Sequence, residues 1–254
     1  MYKQYLNFTK NGIYSEDMGV ISCSLSSGMY EESLGANRNI VEQQNSFTDR
    51  RYFKRVSLDP IEFEMTIALM DDTDESQIDY ICEWLLNDYY EELYFEDEVD
   101  KIYYCIPTSQ PTITHNGMNQ GYISIHMRCF DGYLYSQEIT KTFDLSTNPT
   151  EGTTITLLND GHVEVSPLVT ITMNDTSVKI INQTTNESTE FSQLLSGEII
   201  TLDNENEEIA TNQVGMYRFE NHNDVFIRIL PSSTQFKVTG KCTLTFKYRT
   251  KRKF

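Results

Sequence analysis

The feature that most constrains the fold is the stretch from Val56 to Ile106. Its first part, VSLDPIEFEMTIALM, sets Ile61, Phe63, Met65, Ile67 and Leu69 against Glu62, Glu64, Thr66 and Ala68. Period-two spacing puts the apolar set on one face of a sheet. The next part, DDTDESQIDYICEWLLNDYY, changes period. Asp74 and Gln77 have capping-box spacing, and Ile78, Ile81, Cys82 and Leu85 fall on one helical stripe. EELYFEDEVDKIYYCI then reads as a second strand, so the stretch is strand, short amphipathic helix, strand.

Before it, Leu6 and Phe8 open a short strand, Asn11-Gly12 turns the chain, and VISCSLSSG is a second strand. Residues 28–50 are polar, poorly periodic and interrupted by Gly35 and Ala36. A run of this length without a core stripe reads as a surface arm or binding loop, or as an ordinary irregular hairpin. After Ile106, Asn116-Gly117 is a turn signal, and YISIHMRCF alternates Tyr122, Ser124, His126 and Arg128 with Ile123, Ile125, Met127 and Cys129.

The texture changes near residues 144–152, where Ser146, Thr147, Asn148, Pro149, Thr150 and Gly152 have linker composition. Beyond them TTITLL, PLVTITM, SVKIIN, EIITLD, VFIRIL and CTLTFKY recur at short intervals, separated by turn signals at Asn159-Asp160-Gly161, Asn174-Asp175, Ser196-Gly197 and Thr239-Gly240. This is the pattern of an antiparallel sandwich or jelly roll. The expected class is mainly β: a sandwich-like domain over 1–143 with one short helix, a linker over 144–152, and a jelly roll over 153–240. The terminal strand and basic tail, 241–254, either complete the second domain or return to the first, with a weak preference for the tail touching the first.

Charge narrows the function classes. A formal net charge of -18 opposes unassisted binding to nucleic acid or to an anionic membrane. No run of 18 apolar residues is present, and the start, MYKQYLNFTKNGIYSEDMG, lacks a secretory apolar core. Assembly in a cytoplasm is therefore expected. Between Val56 and Asp100 there are 16 carboxylates and no lysine or arginine, whereas Arg50, Arg51, Lys54 and Arg55 lie just before, and KYRTKRKF ends the chain. Such segregation suits a solvated acidic face with basic edges, or complementary patches on neighbouring copies of one subunit.

Catalytic motifs are missing. No GxGxxG, P-loop, HExxH or GxSxG occurs, and His115, His126, His162 and His222 have no metal-ligand spacing. The oxygen-rich run Asp203–Glu208 lacks the EF-hand positions. Cys23, Cys82, Cys105, Cys129 and Cys242 each sit in an apolar context and read as core thiols. No enzyme, metal or cofactor is indicated.

Taken in order, MGVISCSLS, LGANRNIVEQQ, YFKRVSLDPIEFEMTI, the helix ending in EWLL, ELYFEDEVDKIYYCI and MRCFDGYLYS resemble the N-terminal domain of the distal tail proteins of long, flexible-tailed bacteriophages. LNDGHVEVSPLVTITMNDTSVKIINQTTNESTEF and GEIITLDNENEEI are similar to that family's C-terminal galectin-like module. Asp131-Gly132-Tyr133 stands where family members often have Asp-Pro-Tyr. The resemblance implies a non-enzymatic subunit of the virion tail tip: a homo-hexameric ring between the tail tube protein and the tail-tip hub protein, to which receptor-binding or baseplate proteins attach. Arg38, Arg50, Arg51, Lys54 and Arg55 are then the expected contacts between copies. Glu91, Glu92, Glu96, Asp97, Glu98 and Asp100 are the expected lining of a channel that repels DNA phosphates. A carbohydrate-binding lectin or adhesin is the alternative, and a polysaccharide hydrolase a more distant one. A galactose site needs an aromatic platform, and the only tryptophan, Trp84, lies in the N-terminal helix.

Overall fold

The computed structural model describes residues 6–24, 35–45, 47–69, 75–115 and 121–253. The chain is mainly β and divides into two compact units, one of the residues up to Tyr135 together with those after Arg252, the other running from Ser136 to Arg252. Asp74, the Asn116-Gly117 turn and much of the 28–50 arm lie outside the described residues.

The first unit contains β1 (Phe8–Lys10), β2 (Ile13–Tyr14), β3 (Val20–Cys23), β4 (Arg38–Gln44), β5 (Arg51–Leu58), β6 (Glu62–Leu69), α1 (Glu75–Leu85), β7 (Glu91–Phe95), β8 (Tyr103–Pro107), β9 (Thr112–His115), β10 (Gly121–Cys129) and β11 (Leu134–Tyr135). One antiparallel sheet runs β2-β1-β7-β8-β10-β6-β3, with β9 also on β10. The sheet curls: the Ser22 amide of β3, at one end of that order, donates to the carbonyl of Leu6, just before β1 at the other, at 3.1 Å. Ile61, Met65, Ile67, Leu69, Ile123, Ile125, Met127 and Cys129 are buried, as their alternation requires, with Phe63 half-buried. Ile81 and Leu85 of the helical stripe join the same core, with Ile78 packed at its edge. Trp84 lies beside them, stacked on Phe8 with ring centroids 5.6 Å apart, a contact worth about 0.5–1.5 kcal/mol beyond its buried area.

Two expected strands divide differently. EELYFEDEVDKIYYCI is a hairpin, with Glu91 opposite Cys105 and a turn over residues 96–101 in which Lys101 Nζ bonds Glu98 Oε1 at 2.7 Å. VSLDPIEFEMTIALM breaks at Asp59-Pro60, because proline has no amide to donate to a ladder. Val56–Leu58 belong to β5, and β4 pairs with β5 in a separate two-stranded sheet.

The second unit contains β12 (Ile139–Leu145), β13 (Thr153–Asn159), β14 (Leu168–Met173), β15 (Val178–Asn182), β16 (Ser188–Phe191), β17 (Ile199–Asp203), β18 (Glu208–Thr211), β19 (Ser232–Thr239) and β20 (Cys242–Tyr248). The sheets β12-β20-β14-β17-β18 and β13-β19-β15-β16 form a sandwich. Val169, Ile171, Leu244 and Phe246 from one sheet enclose a core with Ile155, Ile180, Phe236 and Val238 from the other. VFIRIL is not a regular strand: Ile227 and Ile229 are buried, but only Ile229 forms a bridge, to Val165. The strand is SSTQFKVT, whose Thr234, Phe236 and Val238 point inward.

The boundaries differ from those read in the sequence. β12 pairs along its length with β20, Phe143 opposite Leu244, so residues 139–145 belong to the second unit. β20 also pairs with β14 and therefore lies inside that sheet, not beyond it. Within the basic tail, Lys251 and Arg252 pair with carboxylates of the second unit, Glu205 at 3.1 Å and Asp160 at 2.6 Å, whereas Lys253 falls with the first unit. The segment read as a linker is a bonded turn: buried Asn148 donates to the carbonyls of Val238 and Gly240, each at 2.9 Å. Gly152 has φ +84°, and a Cβ there would lie 2.5 Å from the Val238 oxygen.

The second unit also holds a buried ion pair. Arg218 Nε and Nη2 donate to Glu198 Oε1 and Oε2 at 2.8 and 2.7 Å, and the Thr211 hydroxyl and Leu195 amide donate to the same carboxylate. Burial pushes the Glu198 carboxyl up, but these donors outweigh it and hold the group below its ordinary value. Asp203 is held low in the same balance, by the Asn206 and Glu205 amides against burial, and Asp160 is lowered first by the Thr250 hydroxyl. A carboxyl lowered on folding contributes stability above its unfolded pKa and loses it as pH falls through the folded value. The urea midpoint of this unit is therefore expected to fall as pH drops through and below the ordinary carboxyl range. Far-UV circular dichroism at fixed pH measures it, and Glu198→Gln should flatten part of the dependence.

Candidate assembly surface

The β4–β5 hairpin is the most unusual surface in the described chain. Its register runs from Arg38 opposite Leu58 to Gln44 opposite Arg51, with an irregularity at Val41/Glu42 that leaves Lys54 as the extra residue of a bulge. Arg51–Arg55 are all exposed, and of β4 only Val41 is half-buried. The strands nevertheless carry large apolar groups: Ile40 and Phe53 are each 64% exposed, Tyr52 is 51% exposed, and Phe47 in the connecting loop is 92% exposed. An isolated two-stranded ribbon is marginal in water, and a patch of this kind marks a contact surface.

The ribbon is firmly rooted. The Asp59 amide donates to the Asn37 carbonyl at 3.0 Å, and Asn39 Nδ2 donates to Asp59 Oδ1 at 2.6 Å. Gly132 lies against this base: a Cβ there would come within 2.6 Å of Leu58 Cβ and 2.9 Å of the Asp59 oxygen. Its φ is ordinary, so close approach, not backbone freedom, explains the glycine of Asp131-Gly132-Tyr133.

The basic residues named from sequence all lie on or beside this ribbon. Arg50, Arg51, Lys54 and Arg55 are spread along about 17 Å of one strand and its approach, with Arg51 Nη1 3.4 Å from Glu42 Oε2. Arg38, opposite Leu58, stands about 10 Å along the ribbon from Arg55 and about 20 Å from Arg51.

The acidic set divides. Glu91 is buried and cannot line a channel. It bonds the fully buried Lys10 Nζ, and its Oε1 accepts from Asn11 Nδ2 at 2.8 Å. The same ammonium donates to the Trp84 carbonyl in the last turn of α1 at 2.9 Å, so a cation from β1 caps the negative end of the helix. Glu92 is half-buried, whereas Glu96, Asp97 and Asp100 are exposed. Glu96 accepts from the Tyr14 hydroxyl at 2.9 Å, and that bond raises the tyrosine pKa. Glu98 is paired with Lys101. Sheet pairing also sets Arg128 beside Glu62 at 3.2 Å, so cations distant in sequence neutralise part of the acidic run.

In the second unit, Arg218 pins a loop on which Val214 and Tyr217 stand 101% and 87% exposed. A shallow depression nearby is lined by Lys179, Glu190, Phe191 and His222. His222 is buried there with a lowered pKa, its Nδ1 accepting the Asp224 amide at 3.2 Å. Asp203–Glu208 closes the β17–β18 hairpin, the Asp203 carboxylate receiving the Glu205 and Asn206 amides at 3.0 Å each.

Residues 3–131 match the family described as the phage tail protein N-terminal domain, and residues 133–248 match the phage tail C-terminal domain. The chain belongs to the phage tail protein family. Among relatives of this tail protein, the SPbeta prophage-derived uncharacterized protein YomH of Bacillus subtilis (strain 168) is 26% identical over 253 residues, 99% of each chain. Among solved structures, the SPP1 Dit (gp 19.1) protein, described as a paradigm of hub adsorption apparatus in Gram-positive infecting phages, has a TM-score of 0.68. It is 16% identical, over 97% of this chain and 99% of that one. A chain of the phage P2 baseplate in its activated conformation with Ca has a TM-score of 0.52 at 10% identity, over 97% and 98%. These structures share the fold of the tail protein across nearly all of its length. Sequence reading held a hairpin only as the alternative to an arm or loop over 28–50 and did not carry it on to Leu58, although RYFKRVSL has the β-branched and aromatic residues of a strand.

Proposed function

We propose that this tail protein forms a homo-hexameric ring at the tail tip, joining the tail tube protein to the tail-tip hub. The observation that carries the reading is a rooted ribbon with exposed apolar side chains and, among the described residues, nothing of its own unit covering it. A ribbon reaching a neighbouring copy makes a head-to-tail contact, and head-to-tail contacts close into rings. Arg38, Arg50, Arg51, Lys54 and Arg55 meet carboxylates of the next copy, where partial desolvation strengthens the attraction. Glu92, Glu96, Asp97, Glu98 and Asp100 line or border the lumen and repel passing DNA. The C-terminal sandwich, with Tyr217 and its neighbours, is the unit available to baseplate or receptor-binding proteins. The Dit and baseplate fold likeness supports this reading.

Reversing two of the cations tests it. Arg50→Glu with Arg51→Glu is expected to weaken ring closure at least about tenfold at low salt and less at high salt, because screening relieves the new repulsion. Sedimentation of the protein across a salt series, or its incorporation into tails, measures the effect. Equal assembly of the reversed and parent proteins at low salt would overturn the electrostatic role of these arginines.

A further inference from the structure

Cys105 on β8 and Cys129 on β10 are direct cross-strand partners, and both side chains are buried on the core face, 0% and 1% exposed. The hydrogen-bond pattern defines the kind of pair. The Cys129 amide points away from β8, donating to the Ile61 carbonyl at 2.7 Å. On the β8 side the bonds fall at alternate positions: Phe130 donates to Tyr104 at 3.1 Å, and Thr108 donates to His126 at 2.9 Å. Cys105 and Cys129 therefore occupy a non-hydrogen-bonded pair, where Cα atoms approach to about 4.5 Å. That separation lies within the range a disulfide spans, and both side chains leave the same face of the sheet. No such register joins Cys23, which faces Thr66, or Cys242, which lies in the other unit.

We infer that Cys105 and Cys129 are an oxidisable pair that closes a cross-strand disulfide between β8 and β10. The co-reactant is a small-molecule disulfide. One cysteine thiolate attacks it, forming a mixed disulfide and releasing one small thiolate. The second cysteine thiolate then attacks the cysteine sulfur of that mixed disulfide, forming the Cys105–Cys129 bond and releasing the other small thiolate. The two cysteine protons pass through water to the two released thiolates; both cysteines are oxidised and the small disulfide is reduced. Burial pushes the Cys105 thiol up to about 12, so little thiolate exists while the strands are closed. Exchange accordingly proceeds through local opening of the β8–β10 pairing, and mild denaturant speeds it without changing its product. The bond ties two neighbouring strands in a unit whose assembled form is the proposed ring, but the inference does not depend on that ring.

The test uses the full chain, purified reduced and incubated with oxidised glutathione in sub-denaturing urea. Trypsin places each of the five cysteines on a separate peptide, with Cys105 on 102–128 and Cys129 on 129–141. The expected result is a loss of two hydrogens in intact mass, one dominant linked pair, 102–128 with 129–141, and a melting midpoint raised by roughly 3–10 °C. Cys105→Ala and Cys129→Ala should each abolish the link, and Cys23→Ala should retain it. A dominant link through Cys23, Cys82 or Cys242 would overturn the inference. So would recovery of 102–128 and 129–141 as separate peptides after refolding from full denaturant in the same disulfide.

Discussion

Replacing residues 40–56 by a short Gly-Ser link is expected to leave both units folded and to abolish the ring, a sixfold fall in assembled mass under the proposed hexamer. Asn39 and Ser57 face each other across the β4–β5 ribbon, so the cut joins positions that are already adjacent. None of the described residues from 38 to 58 enters the buried core of the first unit, and surface changes away from a core cost within about 0.5 kcal/mol per residue. Loss of fold is separately readable, because Trp84 is the only tryptophan and its fluorescence reports the first unit alone. A deletion variant with native Trp84 emission and the mass of the undeleted assembly would remove the ribbon from the interface.

The second large effect lies at Lys10. Lys10→Ala leaves Glu91 buried without its cation and the Trp84 carbonyl without its donor, and is expected to cost about 3–5 kcal/mol. Because Lys10, Trp84 and Glu91 all belong to the first unit, the loss falls there, and urea unfolding followed at Trp84 measures it. The paired change Lys10→Met with Glu91→Leu removes both charges and keeps the volume, so it should recover more than half of the loss. If Lys10→Ala unfolds at the parent midpoint, the pair contributes nothing and the helix end is held by packing alone.

These two sites also mark where sequence reading fails. β6, β10 and the α1 stripe were legible because each buries one face, so Ile67, Ile123 and Ile81 recur at the period of their own element. The β4–β5 ribbon buries neither face, and without burial there is no period to read. Glu91 stood among exposed carboxylates in sequence, but its strand places it opposite Cys105 on the core side, and its cation comes from 81 residues earlier. Asn148 illustrates the same limit at the boundary: a turn and a linker share composition, and only the carbonyls of Val238 and Gly240 distinguish them. The basic residues were legible as a run before the acidic stretch, and their spread along a bulged ribbon that continues to Leu58 was not.

The most direct measurement is a density map of the assembled tail tip at side-chain resolution. Six copies in a closed ring are expected, each with residues 38–58 laid on the next copy, Phe53 and Ile40 covered, and Arg51 and Arg55 facing carboxylates. Asp97 and Asp100 should line or border the channel. A map in which the ribbon remains in solvent, or in which the copies meet through other surfaces around a neutral or basic channel, would contradict the assembly proposed for this chain.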